Sequence, residues 1–248
     1  MSLIKTEKQI QKIKEAGKVV ALVKQTLTEL TAPGVNLLDL EKKAEEIIKE
    51  NGGKSGTKGY QGFPSSLCIS VNEVMVHGIA NNYNLKEGDI VTYDVVVEKD
   101  GWFADSCITV GVGKIDSKTQ KLIDSSKEAL ASAIKFAKPG VTLGELGKHI
   151  EGFALKYGFS STRDFVGHGI GASMHEEPYI LNYANDSKEQ LVEGQVICIE
   201  PMFINGADDL FIDPIDKWTV RPKHGGMTTH DEHTIIIRKN GGEILTKI

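Results

Sequence analysis

The sequence predicts an α+β fold built from two similar halves, on three observations. Segments of helical period give way to segments of strand period, and the same order then recurs. Two separated stretches repeat at one common offset of 106 residues. The 248 residues are 40% hydrophobic and 25% charged, an ordinary globular composition, and the chain is long enough to bury a large core without disulfides.

The first half opens with two helices. From Thr6 onward, Ile10, Ile13, Val20, Val23, Leu27 and Leu30 follow helical spacing, and Thr6 with Gln9 makes a capping box. Asn36 caps a second helix through about Glu50, which Asn51-Gly52-Gly53 stops. Strand periodicity follows at 66–71, 74–77, 90–98 and 102–112. Asp100-Gly101 joins the last two and suits a two-residue hairpin turn.

The second half echoes the first. Pro33-Gly34-Val35-Asn36-Leu37-Leu38-Asp39-Leu40 returns as Pro139-Gly140-Val141-Thr142-Leu143-Gly144-Glu145-Leu146. Leu85-Lys86-Glu87-Gly88-Asp89-Ile90-Val91 returns as Leu191-Val192-Glu193-Gly194-Gln195-Val196-Ile197. Solenoid repeats run to ~20–50 residues, so this longer period points to a pair of pseudo-symmetric halves. They divide at about 1–115 and 116–248, and no Pro/Ser-rich linker separates them, which predicts one continuous domain.

Composition excludes several classes. Three cysteines, odd in number and without a CxxC pair, argue for a reducing compartment, here the cytoplasm, and against a disulfide framework or structural zinc. The first nine residues contain no apolar core of a secretory signal, and no apolar run approaches the ~18–20 residues of a membrane span. A net charge of −5 gives no global attraction to nucleic acid.

The repeat offset supplies the first functional clue. Asp94 maps onto Glu200, and each interrupts an otherwise apolar run. A carboxylate buried in such a run must be paired, protonated or bound to metal. A salt bridge explains one such acid more readily than two at equivalent positions. The hairpin adds a third: a two-residue turn at Asp100-Gly101 sets Asp94 opposite Cys107 and Asp105 opposite Val96. Both aspartates then share a face as diagonal neighbours, about 7–8 Å apart, whereas a three-residue turn would send them to opposite faces.

Among the seven histidines, His149 and His224 read as surface residues, and His230 and His233 around Glu232 fit a solvated strand start as well as a site. His168 stands between Gly167 and Gly169, where backbone can approach a ligand closely. His175 follows at once, and His77, read as ending a strand of the first half, is its counterpart. The glycines fit neither GxGxxG nor GxxxxGK[ST], and Tyr179 stands where HExxH would need a second histidine after His175. The candidates are therefore Asp94, Asp105, His168, Glu200 and Glu232. Four clustered carboxylates repel one another, and two divalent cations would neutralise them. Mostly oxygen ligands with one imidazole suit Mn, Fe, Co or Mg, and zinc can also occupy such a set.

At these residues the sequence resembles the type I methionine aminopeptidases over essentially its whole length. The resemblance rests on Asn72-Glu73-Val74-Met75-Val76-His77-Gly78, on Asp94 with Asp105 eleven residues later, and on Gly167-His168-Gly169-Ile170-Gly171. It continues through His175-Glu176-Glu177-Pro178, Ile199-Glu200-Pro201-Met202 and Glu232-His233-Thr234. It implies the pita-bread fold, with antiparallel sheet inside and helices on the outer face, around a dinuclear site of Co, Mn, Fe or Zn. In family terms Asp94 binds one ion, His168 and Glu200 the other, and Asp105 and Glu232 bridge them. The implied reaction removes the N-terminal methionine from nascent polypeptides, a metal-bridging hydroxide attacking the first peptide carbonyl. Glu200 would also move protons, His175 would hydrogen-bond the oxyanion and His77 would orient the scissile amide. Tyr60, Phe63, Cys68 and Trp218 would line the methionine pocket, with Met174 adjoining the metals.

The same resemblance implies a monovalent cation (Na or K) near Asn72, Val74 and Thr228, and a transient ribosome contact with neither nucleic-acid readout nor membrane insertion. Met174, Gln61, Phe63 and Thr57 depart from the residues common in bacterial relatives, which bears on pocket shape rather than on the metal set. The rival readings are an aminopeptidase P or prolidase, which usually carries an extra N-terminal domain, and a metal-free binding module of the same fold, which typically loses ligands that are all filled here.

Overall fold

The computed structural model describes residues 3–248. Helix α1 (Glu7–Leu30) starts at Thr6 with the expected capping box, and α2 (Leu37–Glu50) starts at Asn36, whose side chain accepts from Leu38 N. Strands β1 (Lys54–Ser55), β2 (Cys68–Val71), β3 (Ile90–Lys99) and β4 (Trp102–Gly111) form the first sheet. In it β3 pairs with β4 along one edge and with β1 and β2 along the other. The α1 helix lies over β3 and β4, and its apolar stripe (Ile10, Ile13, Val20, Leu27) packs with Leu40, Val91 and Val95 in the core of this half.

The second half repeats the plan with α3 (Ser117–Phe136) and α4 (Leu143–Tyr157), the latter again behind a Thr142–Glu145 capping box. Its short strands are β5 (Ser160–Ser161), β6 (Gly167–Gly169), β7 (Glu176–Ile180), β8 (Val196–Ile199), β9 (Met202–Ile204), β10 (Leu210–Ile212) and β11 (Val220–Pro222). Strands β12 (Thr228–His230), β13 (His233–Arg238) and β14 (Gly241–Ile244) close the chain. The order β14-β13-β8-β6-β7 makes an antiparallel sheet, β12-β9-β5 a second, and β10-β11 a hairpin. Leu130, Leu146 and Ile150 of the helices pack against Ile197, Ile199 and Ile235 of the larger sheet.

The 106-residue offset is a repeat of hydrogen bonds as well as of letters. Leu37 N donates to Tyr83 O at 3.0 Å, and Leu143 N to Glu189 O at 2.9 Å. Leu85 N donates to Val35 O at 2.8 Å, and Leu191 N to Val141 O at 2.9 Å. The halves meet where β4 runs beside the start of β13.

Two expectations need correction. Residues 74–77 form no strand, only a bridge between Val76 and Val220, because Asn72 (φ 57°) and His77 (φ 58°) turn the backbone left-handed at both ends of the segment. His77 therefore does not end a strand, whereas His175 immediately precedes β7. Strand β2 is also shorter than predicted, because Ser66 is taken up by α2: its N–H donates to Glu41 Oε1 at 2.7 Å.

Candidate metal centre

The β3–β4 hairpin sets the first two acids. Asp100 (φ 52°) and Gly101 (φ 78°) make the two-residue turn, so Lys99 pairs with Trp102, Asp94 with Cys107 and Val96 with Asp105. Asp94 and Asp105 thus share a face. From the other half come His168 on β6, Glu200 just after β8 and Glu232 just before β13. All five line one cavity of about 490 Å³, which also holds His77, His175 and His230.

Three of these side chains cluster with the buried Cys198 of β8: single ligand atoms of Asp105, His168, Cys198 and Glu232 all lie within 4.8 Å of one another. His168 Nε2 is 3.6 Å from Glu200 Oε1 and 3.8 Å from Asp105 Oδ2. These approaches are not ion pairs: burial and the neighbouring His175 hold His168 down to about 3, so its ring is neutral. Its Nδ1 lies 2.9 Å from Gly169 O, and a carbonyl can only accept, so the ring proton sits on Nδ1. The Nε2 lone pair then faces two carboxylates.

That arrangement fits a cation. Asp105 Oδ1 and Glu232 Oε1 are buried without a hydrogen-bond partner, and a lone pair pointed at acidic oxygens is repulsive unless a positive charge lies between. Burial first, then Glu232, Asp94 and Glu200, pushes Asp105 well above the usual carboxylate range. Burial with the charges of Glu200 and Asp94 does the same to Glu232, and burial with Asp94 to Glu200. A nearby buried cation, Lys24 of α1, sits behind β4, donating to Ser106 Oγ and to Cys107 O at 3.3 Å, while Ser106 Oγ donates to Glu232 O. Lys24 braces the backbone of the acid cluster and does not reach its oxygens.

Beside the acids, a second cavity of about 220 Å³ is walled by Tyr60, Phe63, Cys68, Met174, His175 and Trp218 and opens onto Asp94 and Asp105. Phe63 and Trp218 meet edge to face with ring centroids 5.2 Å apart. Tyr60 Oη lies 3.1 Å from His175 Nδ1, and the His175 and His168 rings stand at 80° with centroids 4.5 Å apart. His77 packs between Phe165 (5.5 Å) and Trp218 (6.2 Å). Every residue predicted for the divalent metals, the catalysis and the methionine pocket is therefore at one of two adjoining cavities.

Three readings from sequence fall differently. The glycines around His168 serve neighbouring strands, not a ligand: a Cβ on Gly167 would meet Cys198 O at 2.4 Å and one on Gly169 would meet Glu177 O at 2.2 Å. His230 is buried at the cavity and His233 contacts Ser106 and Thr246, so neither belongs to a solvated strand start. His149 is half-buried, stacked on Phe136 at 4.5 Å, whereas His224 is exposed as expected. Sequence reasoning also missed Cys198. The available signal was strand parity: Cys198 and His230 stand two residues before Glu200 and Glu232.

The model of metallopeptidase family M24 matches residues 11–239. A methionine aminopeptidase of Mycoplasma capricolum is 45% identical over 250 residues, covering 100% of this chain and 99% of the relative. Methionine aminopeptidase 1 of Bacillus subtilis is 37% identical, covering 100% of both chains. The crystal structure of the Thermotoga maritima methionine aminopeptidase superposes with a TM-score of 0.96 at 39% identity, over 99% of each chain. The prolidase of Pyrococcus furiosus gives 0.80 at 27% identity and extends well beyond the match, which covers 99% of this chain but 66% of the prolidase. The chain belongs to metallopeptidase family M24 and, within it, to the bacterial type I methionine aminopeptidases.

Proposed function

We propose that this chain hydrolyses the first peptide bond of polypeptides that begin with methionine, as one catalytic domain, using two divalent cations drawn from Co, Mn, Fe or Zn. The observation that carries the reading is the meeting of Asp94 and Asp105 with His168, Glu200 and Glu232 beside an apolar pocket. Asp94 with Asp105 and Glu232 would hold one cation, and His168 and Glu200 with the same two acids the other. Bound there, the cations supply Lewis acidity toward water and the scissile carbonyl.

The protein groups do the rest. The thioether enters between Phe63, Trp218 and Cys68, where polarisable walls favour sulfur. Asp94, at the junction of the two cavities, faces the substrate's α-amine. Tyr60 donates to His175 Nδ1, which leaves Nε2–H to donate to the developing oxyanion. His77 orients the scissile amide. Glu200, beside the second cation position, carries a proton from water to the leaving amine.

Asn72 O and Val74 O both accept from Thr228 Oγ1, at 3.1 and 3.0 Å, a convergence of oxygens that suits a Na or K ion. The nascent substrate places the work in the cytoplasm with a transient ribosome contact. Protein stripped with chelator should lose cleavage of Met-Ala-Ser and regain it when Mn, Co, Fe or Zn is returned. Undiminished turnover of the stripped protein would refute the reading.

A further inference from the structure

The acid–histidine pair at the back of the larger cavity has a member that the proposed reaction does not use. His230 is 3% exposed, its Nε2 lies 3.2 Å from Glu200 Oε2, and neither of its ring nitrogens has an aligned hydrogen-bond partner. Its backbone is pinned: His230 N donates to Thr109 Oγ1 at 3.0 Å, and His230 O accepts from Thr109 Oγ1 at 2.9 Å and Cys107 Sγ at 3.1 Å. On its other flank, β12 pairs with β9, His230 opposite Met202. The imidazole is thus delivered to Glu200 by a backbone held from two sides.

We propose that His230 is a positioning residue for Glu200: Nε2–H donates to Glu200 Oε2 and turns Oε1 toward His168. An imidazole buried without partners costs free energy, and the carboxylate oxygen is the acceptor within its reach. One oxygen of Glu200 is then committed to His230, and the other, already 3.6 Å from His168 Nε2, completes the second cation position. Outer groups that fix a ligating carboxylate in this way are worth about 10–100-fold in metal affinity. The inference rests on the two-cation reading above and adds to it a residue that sets the affinity of one of the two positions.

The test compares wild type with His230→Gln, which keeps an N–H donor at similar reach, and His230→Leu, which removes it. Co(II) binding is followed by calorimetry and by visible absorption, with apo melting temperature as the folding control and kcat and KM for Met-Ala-Ser alongside. His230→Leu should weaken one binding step by about tenfold or more and alter the Co(II) spectrum, while His230→Gln returns both toward wild type. A Leu variant that binds both ions as tightly as wild type overturns the proposal. So does a Gln variant as weak as Leu, since the imidazole would then be a ligand itself. Failure of wild type to bind Co(II) would instead strike the two-cation reading, so the two outcomes stay separable.

Discussion

Asp105 of the first half and Thr234 of the second exchange two hydrogen bonds through one hydroxyl: Asp105 N donates to Thr234 Oγ1 at 3.0 Å, and Thr234 Oγ1 donates to Asp105 O at 2.7 Å. Glu232 N donates to Cys107 O at 3.1 Å on the same seam. Asp105 and Glu232, the two acids proposed to serve both cations, are therefore tied to each other's strands by hydrogen bonds, the first through the Thr234 hydroxyl and the second between backbones.

Replacing Thr234 with Val should cost roughly 1–3 kcal/mol, because it leaves the buried N–H and C=O of Asp105 unpaired. Metal affinity should fall with it, since Asp105 loses its tether. Thr234→Ser should preserve both. Chemical denaturation and metal titration of the two variants check this, and equal behaviour of Val and Ser would count against the tether.

Asp105→Asn should separate fold from function. The amide takes one titratable carboxyl out of a buried cluster of mutually repelling acids, so the apo variant should melt at or above the wild-type temperature. Cations should then stabilise it little, whereas wild type gains about 2.7 kcal/mol when free metal is 100 times its Kd. Thermal melts with and without Mn(II) measure both arms.

Metal binding should release protons from the acid cluster, and more of them as the pH is lowered. Asp105, Glu200 and Glu232 hold protons above the usual carboxylate range in the apo protein, so cations must displace them and affinity should rise with pH. The same three acids bind more protons folded than unfolded, so their contribution to apo stability falls as pH rises. His168 acts oppositely: held down to about 3, it disfavours the folded state below its ordinary value of 6.5 and is already neutral at pH 7. Calorimetry in buffers of different ionisation enthalpy counts the protons. Release that follows a single group near 6.5 would assign them to histidine instead.

Trp218→Ala should raise KM for Met-Ala-Ser more than it lowers kcat, since it removes the edge-to-face partner of Phe63 without touching the acids. The size of the loss follows from an aromatic pair worth about 0.5–1.5 kcal/mol beyond buried area. Steady-state kinetics decide it, and a fall confined to kcat would place Trp218 outside the pocket.

Local chemistry explains what was legible beforehand. Thr6–Gln9, Asn36 and Asp100-Gly101 act within a few residues of themselves, and each cap or turn forms as read. The hairpin then fixes by parity that Asp94 and Asp105 share a face, and the 106-residue offset brings Glu200 into the same argument. The errors lie where distant chain decides. Residues 74–77 carry a strand pattern but are bent by left-handed residues at each end, and the sequence leaves His230 open between a solvated strand start and a site because β4 and β9, which cover it, are far away in sequence. The glycines beside His168 were rightly noticed for close approach, but the approaching group is the backbone of β7 and the end of β8.

The central claim is that acids from both halves converge on a pair of cations. Anomalous diffraction from crystals soaked in Mn(II) tests it most directly. The account predicts two peaks about 3.5–4 Å apart, Asp105 and Glu232 flanking both, Asp94 at one and His168 with Glu200 at the other. Peaks remote from Asp105, or a saturated crystal with none among these five side chains, would contradict it.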